Sequence, residues 1–300
     1  MSAPAHSTGR RRRSVPGRLA WWAALTVIGI SWSVHNARAA DAAPSASETF
    51  LIGNVVFALL HEFGHAIIRD FDVPILGLEE ESADTIAAVA LIQLDRQHPD
   101  TGFGSLLGVT ALAQAYVWKT GLERTHGQVT LWAQHGLSAQ RYARLVCLLY
   151  GSDTERYGWV AAQTGMEEIR AETCEDEWKM AERAVRWVRE TYGIPPGERA
   201  SRPVASVSVD YGRPRDAKET RLQELLQHRA ILEKIGHLAE ASFAFPGPIK
   251  LKLGHCRVPN AYWDDEYREV VLCYELMEAI EKYAEQPEVT KLVERFRARP

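Results

Sequence analysis

Residues 61–65 read His-Glu-Phe-Gly-His. On a helix, residues four apart share a face, so both imidazoles can reach one ion. Glu62 is one residue on, about 100° round the axis. It can stand beside such an ion without binding it, where a base draws a proton from water activated by the metal. The motif lies inside an apolar run, residues 50–68, where two imidazoles and a carboxylate are costly without partners. The pattern predicts a metal centre, with zinc as the cofactor and at least one ligand still to be found.

Candidates follow after Pro74 and Gly77, in Glu79, Glu80 and Glu81. Glu80 and Asp84 are four positions apart and share a helix face. Here the sequence resembles the gluzincin metallopeptidases, whose second helix carries a glutamate ligand with an aspartate four residues on. The resemblance implies Glu80 as the third ligand. It implies Asp84 as the residue that holds His61 or His65 by its ring N–H. Glu79 and Glu81 are expected to point into solvent, and either is the alternative ligand. The metzincin pattern is excluded, because Ile68 and Phe71 stand where its Gly and His would be. Amide hydrolysis also needs a group facing the oxyanion. His126, His135, Tyr142 and Tyr150 are candidates, with His135 and Tyr142 preferred.

Four blocks carry a closer likeness: NVVFALLHEFGHAII, VPILGLEEESADTIA, RLVCLLYGSD and NAYWDDEYREVVLCYEL. Together they resemble a family of exported bacterial proteins of metallopeptidase type and unknown function, over residues 50–279. The resemblance implies a zinc-dependent peptidase-type site. It implies no particular substrate.

Helices must position these groups. Ser45 and Glu48 have capping-box spacing before the apolar run, so a helix is expected from there to about Arg69. A membrane span is disfavoured by His61, Glu62 and His65 within it; a helix apolar nearly all round is a central, buried one. The three glutamates suit the start of a second helix that stops before His98-Pro99. Further helices are expected over 105–118, 139–150, 167–192 and 217–241. Residues 204–211 and 249–253 alternate as half-buried strands, and 269–273 is a candidate third. Asn260 to Trp263 is expected to line a cleft or to form a turn. Glu275 reads as structural or surface. The fold class expected is α+β, a mainly helical zincin-like core with a small sheet.

A basic stretch, an apolar stretch and Ala37-Arg38-Ala39 read as a signal peptide over residues 1–39. Its removal takes away six arginines and no acids, moving the formal net charge from −4 to −10. So acidic a chain argues against nucleic acid as a partner. No stable membrane span is expected after cleavage, and the location expected is periplasmic or extracellular. Residues 40–195 form the helical metal-site region, 195–203 a linker, and 204–300 an α+β region packed on the first. Cys147, Cys174, Cys256 and Cys273 make an even count in an exported chain, which suggests two disulfides. Of three possible pairings, the local one is expected: Cys147 with Cys174, Cys256 with Cys273.

The function expected is a zinc-dependent hydrolase, a metallopeptidase acting on peptide or protein substrates with Glu62 as general base. Two alternatives stand beside it: a zinc amidase on a non-peptide amide, and a non-catalytic zinc-binding protein.

Overall fold

The computed structural model describes residues 43–97, 135–195 and 206–297, with 108, 110, 124–125, 128–129 and 198 besides. The expected leader, most of the helix over 105–118, most of the linker over 195–203, and His126 lie outside the described residues.

Ser45 and Glu48 form the anticipated capping box. The Ser45 hydroxyl accepts from the Glu48 N–H at 3.1 Å, and the Glu48 carboxylate accepts from the Ser45 N–H at 2.7 Å. Helix donors that would lack partners are thus satisfied. The helix, α1 (Ala46–Asp70), has 25 residues, a length of about 37 Å. By length and hydropathy it could cross a membrane, but 94% of its apolar window is enclosed by the rest of the chain. It is the central core helix. It packs against α2 (Glu79–Gln97) and also against elements from the C-terminal third.

After α2 come a two-stranded antiparallel pair, β1 (Arg124–Thr125) and β2 (Gln128–Val129), and the helices α3 (Ser138–Ser152), α4 (Gly158–Thr164) and α5 (Glu168–Tyr192). Cys147 of α3 is bonded to Cys174 of α5. The two helices cross closely there: a Cβ on Gly151 would stand 2.0 Å from the Cys174 carbonyl oxygen. Only glycine fits that crossing.

The rest is β3 (Val207–Tyr211), α6 (Ala217–His228), α7 (Ile231–Ser242), β4 (Ile249–Gly254), β5 (Ala261–Asp264), β6 (Glu269–Cys273), α8 (Tyr274–Ala284) and α9 (Pro287–Arg297). The sheet order is β3-β4-β6-β5. The first three strands run parallel, and β5 is an antiparallel edge strand paired to β6. The architecture is α+β, mostly helical with this small sheet. The second disulfide joins Cys256, beyond β4, to Cys273 at the end of β6. The Glu275 carboxylate accepts the Cys256 and Arg257 N–H groups, each at 3.0 Å, and so caps that corner.

Two expectations change. The single helix expected over 217–241 is two helices, broken where Ala230 adopts φ +48°. The break lets α7 turn onto the sheet, with Gly236 against the Val207 side chain. Residues 261–264 are a strand of the sheet, with Trp263 buried.

Candidate metal centre

The apolar face of α1 buries His61, Glu62 and His65, at 4%, 7% and 7% exposure. Gly64 lets α2 come close, since a Cβ there would stand 3.0 Å from the Ala83 Cα. The approach brings the start of α2 over the two histidines.

Glu80 Oε2 lies 3.1 Å from His61 Nε2 and 3.4 Å from His65 Nε2, and the two Nε2 atoms are 3.1 Å apart. Donor atoms at the corners of a tetrahedron with bonds of about 2.0–2.1 Å stand about 3.3 Å apart. The triangle matches that spacing. His61, His65 and Glu80 therefore could hold one metal ion.

The other ring nitrogens reinforce this. His61 Nδ1 lies 2.8 Å from Asp84 Oδ1, and His65 Nδ1 lies 2.7 Å from Glu79 Oε1. Each Nδ1 donates its N–H to a carboxylate, which leaves an Nε2 lone pair on each ring aimed at the other and at Glu80. A metal ion between them, or protons on the rings, would relieve that crowding. Around the imidazoles stand the carboxylates of Glu62, Glu79, Glu80 and Asp84 and the guanidinium groups of Arg69 and Arg141. Carboxylates outnumber the guanidinium groups there, and a divalent ion or protons on the imidazoles would offset the excess negative charge.

Protons fill the role in the metal-free protein. Burial lowers the His61 pKa, but the hydrogen bonds to Asp84 and Glu80 outweigh it and carry the value up to about 9. His65 is likewise lowered by burial and raised more by Glu80 and Glu79. Burial would lift Glu80, yet bonds from His135, His61 and His65 hold it far below the ordinary carboxylate range. Asp84 is also held low, against its burial, by His61 and Arg141. Glu62 differs from the rest: burial drives its pKa up, against the pull of His61 and His65. Its partner is the Trp263 backbone, at the edge strand.

The structure brings His135 to the site and leaves Tyr142 outside it. His135 Nε2 lies 2.8 Å from Glu80 Oε2, and its ring stacks on His61 with centroids 6.0 Å apart. The Tyr142 hydroxyl is instead hydrogen-bonded to Thr164 of α4, and the ring packs on the core. Tyr150 is nine residues past Arg141 on α3, about 13 Å along the axis. Glu79 is a correction. It does not point into solvent but accepts from both His65 and Arg69. Glu81 does lie outward, paired with Arg144 at 2.9 Å.

Residues 30–189 and 211–298 match the model of the family DUF4344, described as "Putative metallopeptidase". The chain belongs to this family. Comparison with curated proteins and with solved structures returns no match. The family description suggests a metal-dependent hydrolase of metallopeptidase type, and the His-His-Glu group supplies a donor set for the metal. Three participants had no signal in the sequence: the Glu79 contact with His65, the Trp263 contact with Glu62, and Arg141, which grips Asp84.

Proposed function

We propose that this protein is an exported zinc metallopeptidase of gluzincin type. His61, His65 and Glu80 hold the ion, and Glu62 is the general base. The observation that carries the reading is the triangle of donor atoms with a buried carboxylate of raised pKa beside it. Its two disulfides fit an oxidising compartment.

When bound, the ion supplies Lewis acidity to a water and to the carbonyl oxygen of the bond to be cleaved. Glu62 takes the proton of the attacking water and passes it to the leaving amine. Its raised pKa suits a carboxyl that must carry a proton between those steps. The Trp263 backbone fixes its orientation. His135, exposed beside Glu80, is the imidazole assigned to the developing oxyanion; Tyr142 has no part.

Strand β5 favours a peptide over another amide. The Cys273 N–H bonds to the Asn260 carbonyl. By alternation, the backbone groups of Ala261 and Trp263 face away from β6, toward the edge, where the Trp263 backbone already meets Glu62. An extended peptide added to that edge would run past Glu62.

The test is elemental analysis beside a peptide-library digest, for wild type and Glu62→Gln. Zinc in both, with cleavage by wild type alone, is the expected result. Zinc in both with two inert digests would leave a non-catalytic zinc protein or an amidase. Wild type without zinc would remove the metal reading.

A further inference from the structure

Arg141 sits in the first turn of α3, the positive end of that helix dipole, where a cation is locally disfavoured. Its side chain is only 19% exposed, and Asp84 opposite is 5% exposed. Enclosing a guanidinium at such a position costs free energy unless a partner offsets it. The partner is Asp84, held by two parallel bonds. Arg141 Nε donates to Oδ2 at 2.8 Å and Nη2 donates to Oδ1 at 2.7 Å. The same Oδ1 accepts from His61 Nδ1 at 2.8 Å. Such a fork fixes a carboxylate in its plane as well as its charge. The far end of α3 is itself anchored to α5 by the Cys147–Cys174 bridge.

We propose that Arg141 is a positioning residue of the metal centre. It sets the plane of Asp84, and through Asp84 it sets the tautomer and aim of His61. Arg141 touches neither the proposed ion nor a substrate. Its effect reaches the ion through two hydrogen-bonded links that start on a different helix from either ligand helix.

The proposal rests on His61 being a metal ligand, so the experiment first measures the wild-type chain. Co(II) and Zn(II) affinities are read by chelator competition, with the Co(II) absorption spectrum as a second readout. The variants are Arg141→Met, Arg141→Lys, Asp84→Asn and the Arg141→Met/Asp84→Asn double. Arg141→Met should bind about 10- to 100-fold more weakly with an altered Co(II) spectrum, the range for groups that orient a ligand. Arg141→Lys, which keeps charge without the fork, should recover only part of the loss. The double variant should bind no more weakly than Asp84→Asn, because Arg141 acts through that carboxylate. Wild-type affinity and spectrum in Arg141→Met, or independent losses in the double variant, would overturn the proposal. Should Arg141→Met fail to fold, wild-type affinity in folded Arg141→Lys overturns it equally. A wild-type chain that binds neither metal overturns the zinc reading itself, which is a separate outcome.

Discussion

His65 and Glu79 form a close pair: Nδ1 and Oε1 are 2.7 Å apart, and Arg69 Nε donates to the same oxygen at 2.9 Å. His61 has a separate carboxylate, Asp84. Each histidine of the motif is thus oriented by its own acid from the first turns of α2. Glu79→Gln should weaken zinc binding about 10-fold, since an amide is a poorer acceptor and no longer balances charge. Chelator competition measures it. Unchanged affinity would mean that Glu79 only pairs with Arg69.

The metal-free site binds protons. His61 titrates near 9, above its ordinary 6.5. A raised histidine pKa contributes stability that is fully present below 6.5 and is lost as pH climbs through about 9. Metal-free protein should therefore lose thermal stability between those values, and the zinc-loaded form should lose less. Zinc uptake at neutral pH should release protons, with affinity rising toward pH 9. Calorimetry in buffers of different ionisation enthalpy counts the protons. Zero release would contradict a protonated His61.

Burial raises Glu62 above the ordinary value of 4.5. A general base works only when ionised, so kcat/KM at saturating zinc should fall on the acid side as Glu62 takes up a proton. Glu62→Gln should remove at least about 100-fold of kcat, the low end of general-base contributions. Its zinc content should stay at the wild-type level. An unchanged acid limb in the residual activity of Glu62→Gln would argue for another base.

Gly64 is where α1 and α2 touch. Alanine there improves helix propensity by about 1 kcal/mol. Its methyl, however, would stand 3.0 Å from the Ala83 Cα, a backbone atom that cannot rotate away. Overpacking of this sort costs about 1–3 kcal/mol. Gly64→Ala should thus change stability by a small net loss but weaken zinc binding clearly, because the helices separate at the ligands. Thermal melts with and without zinc check both parts.

The edge strand is fastened to α1 by ion pairs. Arg268 makes two 2.8 Å bonds to Asp70, and its guanidinium lies over the Trp263 ring, 5.5 Å from the centroid. Arg69 reaches Asp265 at 2.9 Å. Arg268→Ala should raise KM for a cleaved peptide several-fold and leave zinc stoichiometry unchanged, since the clamp holds β5 and no ligand. Zinc loss instead would move Arg268 into the metal centre.

Local chemistry made α1 readable to its ends: Ser45 and Glu48 cap it, and the three glutamates open α2 on the positive end of a helix. The alternation of 204–211 and 249–253 marked two strands, with 269–273 a candidate third, and the even cysteine count marked two bridges. The break at Ala230 had no such mark. No glycine or proline stands there, and the amphipathic pattern continues across it, so only packing on the sheet imposes the left-handed residue. Strand β5 is short, and its pattern emerges only beside β6.

The sequence by itself determined which residues can share one helix face, because the 3.6-residue repeat fixes His61 against His65, and Glu80 against Asp84. It could not determine which acid meets which imidazole. That depends on the rotation and distance of α2 relative to α1, which the Gly64–Ala83 contact sets. Nor could it show that Arg141, 57 residues from Asp84 along the chain, would close on it. No local repeat relates residues so far apart; the packed helices alone decide where their side chains meet.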